Sequence, residues 1–268
     1  MTATAHIIAT TCYLGAAAFA AAPFARPIRA PVRGVLAVLA LGIAAHALAL
    51  IDLARAVGQA PVTGLGPALS CAGLAVAMML LVVELIAKEV SLTLVAAPLA
   101  ALLTVAANMA GLVTEAEPPG GRGAWFVAHI ALSLGGLAAM ATAAAAGTMY
   151  LVQRRELRSR RFGPLFRLFP PLQTLDRVNQ VAVIAGWIGL TLGILMGLAY
   201  SVSFHQSDMP QVIWALGAWA GVTALALGRV VRGWEARRAA VAANAAFAGV
   251  VLLWIAMRVF ASQPGKFL

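Results

Sequence analysis

The sequence predicts an all-α protein, a polytopic integral membrane bundle of about eight transmembrane helices with both termini extracytoplasmic. Three observations carry that expectation. The 268 residues are 62% hydrophobic and only 10% charged, with a mean hydropathy of +0.93, which is more apolar side chain than a water-soluble core of this length can hide. The apolar residues gather into runs long enough for a bilayer, since about 20 residues at about 1.5 Å each cross the hydrocarbon. The basic residues fall on alternate connectors, as they do when one face of a membrane protein stays in the cytoplasm.

In chain order the runs are Ala5–Ala22, Val35–Ala54, Ala68–Ala87, Ser91–Val113, Trp125–Leu151, Val181–Phe204, Val212–Val231 and Ala239–Phe260. All exceed the length of a strand. Backbone groups in lipid must be satisfied within their own segment, so helices are the expected form. The first run ends in alanines that resemble a cleavage site, but no Lys or Arg precedes it, and it reads as a retained first helix. Pro98 is expected to kink the fourth. Turn residues mark the short connectors: Arg26-Pro27, Ala30-Pro31, Gly64 to Pro67, Pro118 to Gly121 and Met209-Pro210. No internal repeat interrupts the pattern, and residues 1–268 read as one polytopic domain.

The longest connector, QRRELRSRRFGPLFRLFPPLQTLDRVNQ from Gln153 to Gln180, is strongly basic. In it Phe162, Leu165, Phe166, Leu168 and Phe169 alternate with arginines before Pro170-Pro171, the composition of a loop that hugs anionic headgroups. The stretch Leu172 to Gln180 reads as a short amphipathic turn of helix. With loops assigned to alternate sides, every basic residue except Arg55, Arg122, Arg258 and Lys266 falls on the side of this connector. The positive-inside rule makes that side cytoplasmic. The net charge of +10 is therefore topological, and nucleic acid is excluded as a partner; membrane lipids take its place.

Few residues in the spans carry chemistry. The two cysteines, Cys12 and Cys71, lie far apart in apolar runs with no CxxC and read as packing residues. Asp52 and Arg55, close to one turn apart, read as an interfacial ion pair. Glu84, beside Lys88, reads as an interfacial carboxylate. Gly189, Gly193 and Gly197 fall on one helix face and invite close approach of a neighbour, with room for a flat porphyrin as the alternative. There is no nucleophile triad and no phosphate-binding glycine loop, so no self-contained enzyme activity is expected.

All four histidines fall in the outer half of the predicted topology. His6 and His205 lie at or near the outer surface and read as solvated. His46 and His129 lie within spans, where an ionisable group is uncommon and usually faces the bundle interior. Two readings stand side by side for them, interhelical hydrogen bonding and function. A neutral imidazole has a free lone pair and is a good axial ligand for haem iron, and two on facing helices would hold six-coordinate iron. His205 is a weaker candidate near the entrance. Zinc lacks a third and fourth ligand of suitable spacing.

Several stretches resemble one known family. They are His46 in AAHALAL, the turn GLGPALS from Gly64, HIALSLGGLA from His129, LFRLFPPLQTLDRVN from Leu165, GLTLGILMGLAY from Gly189 and GWEARRAA from Gly233. Together they resemble the CcsA/ResC/HemX superfamily of cytochrome c assembly membrane proteins, and within it the short HemX- and YpjD-like branch. The resemblance implies a multi-pass protein of the cell inner membrane that handles haem in the outer half of the bilayer. It implies a non-covalent, b-type haem with histidines as iron ligands, and a role in cytochrome c maturation or its regulation. Another assembly subunit is the implied partner. Full-length haem-delivering members carry a tryptophan-rich outer segment of the type WGxxWxWD; the six tryptophans here are scattered, and several read as interfacial anchors. That departure points to a carrier, a sensor or a companion subunit. The rival readings are a small transporter, with His46, His129 and Glu84 along its path, and a scaffold acting through the basic connector.

Overall fold

A computed structural model of the chain describes residues 2–25, 31–62, 64–87, 90–113, 123–160, 166, 169–204 and 209–260. The described residues form helices and no strand. The helices are α1 (Thr2–Ala25), α2 (Val32–Val57), α3 (Leu65–Ala87), α4 (Thr93–Ala110), α5 (Gly123–Ser159), α6 (Leu172–Phe204), α7 (Met209–Val230) and α8 (Ala236–Phe260). Eight of them are long and apolar enough to cross a membrane, so the protein is a multi-pass membrane protein. Side chains such as Ile86, Leu102 and Leu252 stay exposed on the helices, where hydrocarbon rather than water is their solvent.

Two helices run further than the hydropathy predicts. α5 continues past Leu151 to Ser159, and the expected separate turn at Leu172–Gln180 is the start of α6. Hydropathy marks where the membrane ends, not where the helix ends. The segment QRRELRS is built of good helix formers and propagates a helix already nucleated in the span. Pro170-Pro171 sets the start of α6, with the Thr174 N–H on the Pro171 carbonyl at 2.9 Å. Of the aromatic and leucine residues in this connector, Phe162, Leu165 and Leu168 lie outside the described residues.

The chain divides into two compact units, Met1–Glu117 with Val152–Thr174 and Pro118–Leu151 with Leu175–Leu268. In the first, α1 packs on α2 and α4, and α3 packs on α2 and α4, which closes a ring of four helices. Close approach depends on small residues: a Cβ on Gly42 would stand 2.8 Å from that of Cys12 and 3.0 Å from the Tyr13 ring. Gly64, in the GLGPALS turn, holds φ +94 and brings the start of α3 against the end of α4. Glu84 is buried rather than interfacial. Its carboxylate accepts the Thr93 N–H at 2.8 Å and the Thr93 hydroxyl at 3.1 Å, so that it caps the first turn of α4. Asp52 and Arg55 form no ion pair.

In the second unit α5 and α6 pack through glycines. A Cβ on Gly136 would meet Leu190 N at 2.8 Å, and one on Gly189 would meet Gly136 Cα at 3.0 Å. Close packing, not space for a porphyrin, is what these positions supply. Tryptophans expected at the interface instead tie helices together. The indole N–H of Trp187 donates to Thr223 at 3.1 Å, that of Trp219 to Thr191 at 2.9 Å, and that of Trp214 to the Val250 carbonyl at 3.3 Å. Each such bond between helices is worth about 0.6 kcal/mol in a membrane.

The connector motif and GWEARRAA meet in one clamp. The buried Arg229 guanidinium pairs with the Asp176 carboxylate and donates to the carbonyls of Asp176 at 3.2 Å and Trp234 at 3.0 Å. Trp234 in turn lies under Arg238, whose guanidinium carbon stands 4.4 Å from the ring centre. Asp176 is a third exposed and Arg229 is buried, so removing the carboxylate leaves the buried guanidinium short of a partner, at a cost of about 1–3 kcal/mol. Asp176→Ala should therefore lower the thermal midpoint of the detergent-purified protein far more than Asp52→Ala; equal midpoints would mean that the clamp contributes nothing.

Candidate functional site

The first unit gathers two histidines, a serine and a tyrosine. His6 on α1 and His46 on α2 are fully buried, with ring centres 5.1 Å apart in an edge-on arrangement. His6 was expected at water. The packing of α1 against α2 and α4 covers it instead, and it finds its partner on α3. Its Nε2 lies 2.8 Å from the Ser70 hydroxyl, and His46 Nε2 lies 2.9 Å from the same oxygen. His6 Nδ1 is 3.0 Å from the Thr2 carbonyl, and His46 Nδ1 is 3.1 Å from the Tyr13 hydroxyl.

Donor and acceptor rules leave one arrangement for neutral rings. A carbonyl only accepts, so His6 Nδ1 carries the proton and donates to Thr2. His6 Nε2 is then a lone pair, and the Ser70 hydroxyl donates to it. Ser70 has spent its one proton, so it accepts from His46 Nε2–H. That leaves His46 Nδ1 as the acceptor of the Tyr13 hydroxyl. Every polar atom of this buried cluster is satisfied, and both ring nitrogens of His46 are engaged. Nothing in the spacing of the sequence reveals the junction, although Ser70 stands at the end of the GLGPALS motif and His6 and Tyr13 share a helix face.

The second unit holds His129, half-buried on the first turns of α5. Its Nδ1 lies 2.6 Å from the Gly193 carbonyl on α6. Because the carbonyl only accepts, Nδ1 carries the proton and Nε2 keeps its lone pair; among the described residues Nε2 makes no hydrogen bond. The ring stands beside Phe126, centroids 6.4 Å apart, and Phe126 beside Tyr200 at 5.8 Å. Trp125 closes the same end of the helix pair, its indole N–H on the Met196 carbonyl at 2.9 Å.

Of the histidines singled out in the sequence, His46 belongs to the first unit and His129 to the second, and His205 lies outside the described residues. A metal-bound histidine characteristically donates its other ring N–H to a carbonyl or carboxylate, which fixes the tautomer and the ring plane. His129 has that arrangement, and its donor set fits haem iron. The Nδ1 lone pair of His46 is held by Tyr13, so His46 fits only if Tyr13 lets go. Cys12 and Cys71 are free thiols; the Cys71 thiol faces the Pro61 carbonyl at 3.5 Å.

Residues 34–263 match the family described as cytochrome C assembly protein. The chain is similar to the cytochrome c biogenesis protein CcsA of Trichormus variabilis, 33% identical over 87 residues that make up 31% of this chain and 24% of that protein. It is also similar to CcsA of Synechococcus elongatus, 34% identical over 100 residues, 34% of this chain and 30% of that protein. The similarity thus spans less than a third of the length of these curated relatives. No solved structure matches the chain. The match across most of the sequence, taking in seven of the eight apolar helices from α2 to α8, makes the chain a member of the cytochrome c assembly protein family.

Proposed function

We propose that this chain is a haem-handling membrane protein of cytochrome c assembly, seated in the inner membrane and without an enzyme activity of its own. One observation carries the reading. In a chain of this family, His129 is tautomer-locked by the Gly193 carbonyl at 2.6 Å, and its Nε2 makes no hydrogen bond among the described residues. An imidazole held in this way would be a ready ligand for haem iron, since its tautomer is already fixed by the carbonyl. A b-type haem bound there supplies a one-electron iron centre. The chain contributes the ligand, an aromatic neighbour in Phe126, and an orienting carbonyl. His46 is the second candidate ligand, conditional on release by Tyr13, and His205 the third.

The basic residues support a cytoplasmic position for the ends of α1, α3, α5 and α7, with both chain termini outside. His129, six residues into α5, then lies about 9 Å below the outer end of its helix at about 1.5 Å per residue. That depth suits a carrier or a companion subunit that passes haem to a partner at the outer surface. The transporter reading needs Glu84 on a polar path, and Glu84 holds the start of α4 instead.

Protein purified in mild detergent from haem-replete cells should show a Soret band and, on reduction, sharp low-spin α and β bands. His129→Ala should abolish the band or convert it to a high-spin form, and a normal spectrum in that variant would remove His129 from the site. Loss of the band in His46→Ala would make His46 a ligand, whereas an unchanged band would leave it a member of the first unit's hydrogen-bonded cluster.

Topology has its own test. A reporter fused after Leu268 should read as extracytoplasmic and one inserted beside Arg160 as cytoplasmic. A cytoplasmic C-terminus would overturn the orientation and, with it, the outer position of His129.

A further inference from the structure

Gly189, Gly193 and Gly197 recur at every fourth position of α6, yet the structure gives each a different neighbour. A Cβ on Gly189 would meet backbone, Gly136 Cα and N at 3.0 and 3.1 Å. One on Gly193 would meet Ser133. A Cβ on Gly197 would meet the His129 imidazole, at 2.7 Å from Cε1, 3.0 Å from Nδ1 and 3.4 Å from Nε2, and its three nearest atoms all belong to that ring. We propose that Gly197 is a positioning residue for His129: by carrying no side chain it lets the imidazole lie against α6 with Nδ1 on the Gly193 carbonyl and Nε2 presented to a haem iron.

The physical argument rests on two constraints acting on one ring. The 2.6 Å hydrogen bond to Gly193, one helical turn before Gly197, fixes Nδ1. The bare Cα of Gly197 fixes how closely the ring plane can approach the helix. A methyl group at 197 cannot coexist with both, because real Cβ contacts do not fall to 2.7 Å. Either α6 withdraws from α5, or the imidazole swings out and gives up the carbonyl. In the second case the tautomer lock goes, Nε2 no longer holds its lone pair in one direction, and the ligand loses the partner that raises its basicity. Alanine is intrinsically the better helix former, so the demand for glycine at 197 comes from the ring and not from the helix.

This inference rests on the reading of His129 as a haem ligand, and the experiment separates the two. Gly197→Ala, His129→Gly and the double variant are purified in mild detergent, and each is measured for its reduced haem spectrum, haem affinity and haem-free thermal midpoint. Gly197→Ala should lower haem affinity about tenfold to a hundredfold, the usual effect of losing a partner that orients a metal ligand, and shift the spectrum toward high spin. Its thermal midpoint should fall in the parent but stay level or rise in the His129→Gly background, where no ring is left to displace. An equal fall in both backgrounds would overturn the proposal, because Gly197 would then act on helix packing alone. A normal low-spin spectrum and affinity in Gly197→Ala, with the band lost in His129→Gly, would overturn it too. If the parent binds no haem, the ligand reading fails, and the coupling between positions 129 and 197 in the thermal midpoints still decides whether Gly197 holds the ring.

Discussion

A polar group carried into hydrocarbon has no water to turn to, and the design of this protein follows from the need to find each one a partner in the chain. Helices settle the backbone; many side chains are settled one at a time, while a few buried atoms such as Asn179 Oδ1 and Arg229 Nε have no hydrogen-bond partner among the described residues. Glu84 reaches the N–H of Thr93 in the first turn of α4. Asn179 donates to the Ala143 carbonyl at 2.7 Å. Thr191 and Thr223 take the indole protons of Trp219 and Trp187. Arg229, the most demanding of these groups, collects one carboxylate and two carbonyls. These bonds choose which helix faces meet, because apolar faces alone are interchangeable in lipid.

Once the faces are chosen, small residues decide how closely they approach. The pair α5–α6 is the clearest case. Gly136 and Gly189 bring two backbones together in the middle of the pair, and the same approach delivers the Gly193 carbonyl to His129 one turn further along. The packing seam and the candidate haem ligand are thus one feature: the carbonyl that orients the imidazole is within reach only because no side chains hold the helices apart. The aromatic residues Trp125, Phe126 and Tyr200 gather at the same end of the pair as His129.

The spans were legible because they depend on length and hydropathy, which are properties of a single stretch of chain. Their ends were less so: α5 and α6 overrun the hydropathy boundary by propagating helix through polar sequence. His129 was legible as a rare ionisable group in a span near a family motif. Its orienting carbonyl was not, since backbone atoms leave no trace in residue identity. His6 was misread as a surface residue because nearness to a chain end says nothing about which helix covers it. Its partners stand at Ser70, 64 residues away, and, through Ser70, at His46, 24 residues back from Ser70. A junction of three helices cannot be seen from any one of them. Asp176 carried a signal that could have been used, as an acid in a stretch dominated by arginines and flanked by a motif.

The hydrogen-bond chain of the first unit has a direction, from Tyr13 through His46 and Ser70 to His6, and it ends on the Thr2 carbonyl. A carbonyl has no proton to give. The chain cannot be inverted by turning every donor into an acceptor, as a wire for protons must be after each passage, because the last link has nothing to return. Four polar side chains in line therefore keep one fixed order of donors and acceptors. They join α1, α2 and α3 of the first unit and leave no ring nitrogen of either imidazole without a partner.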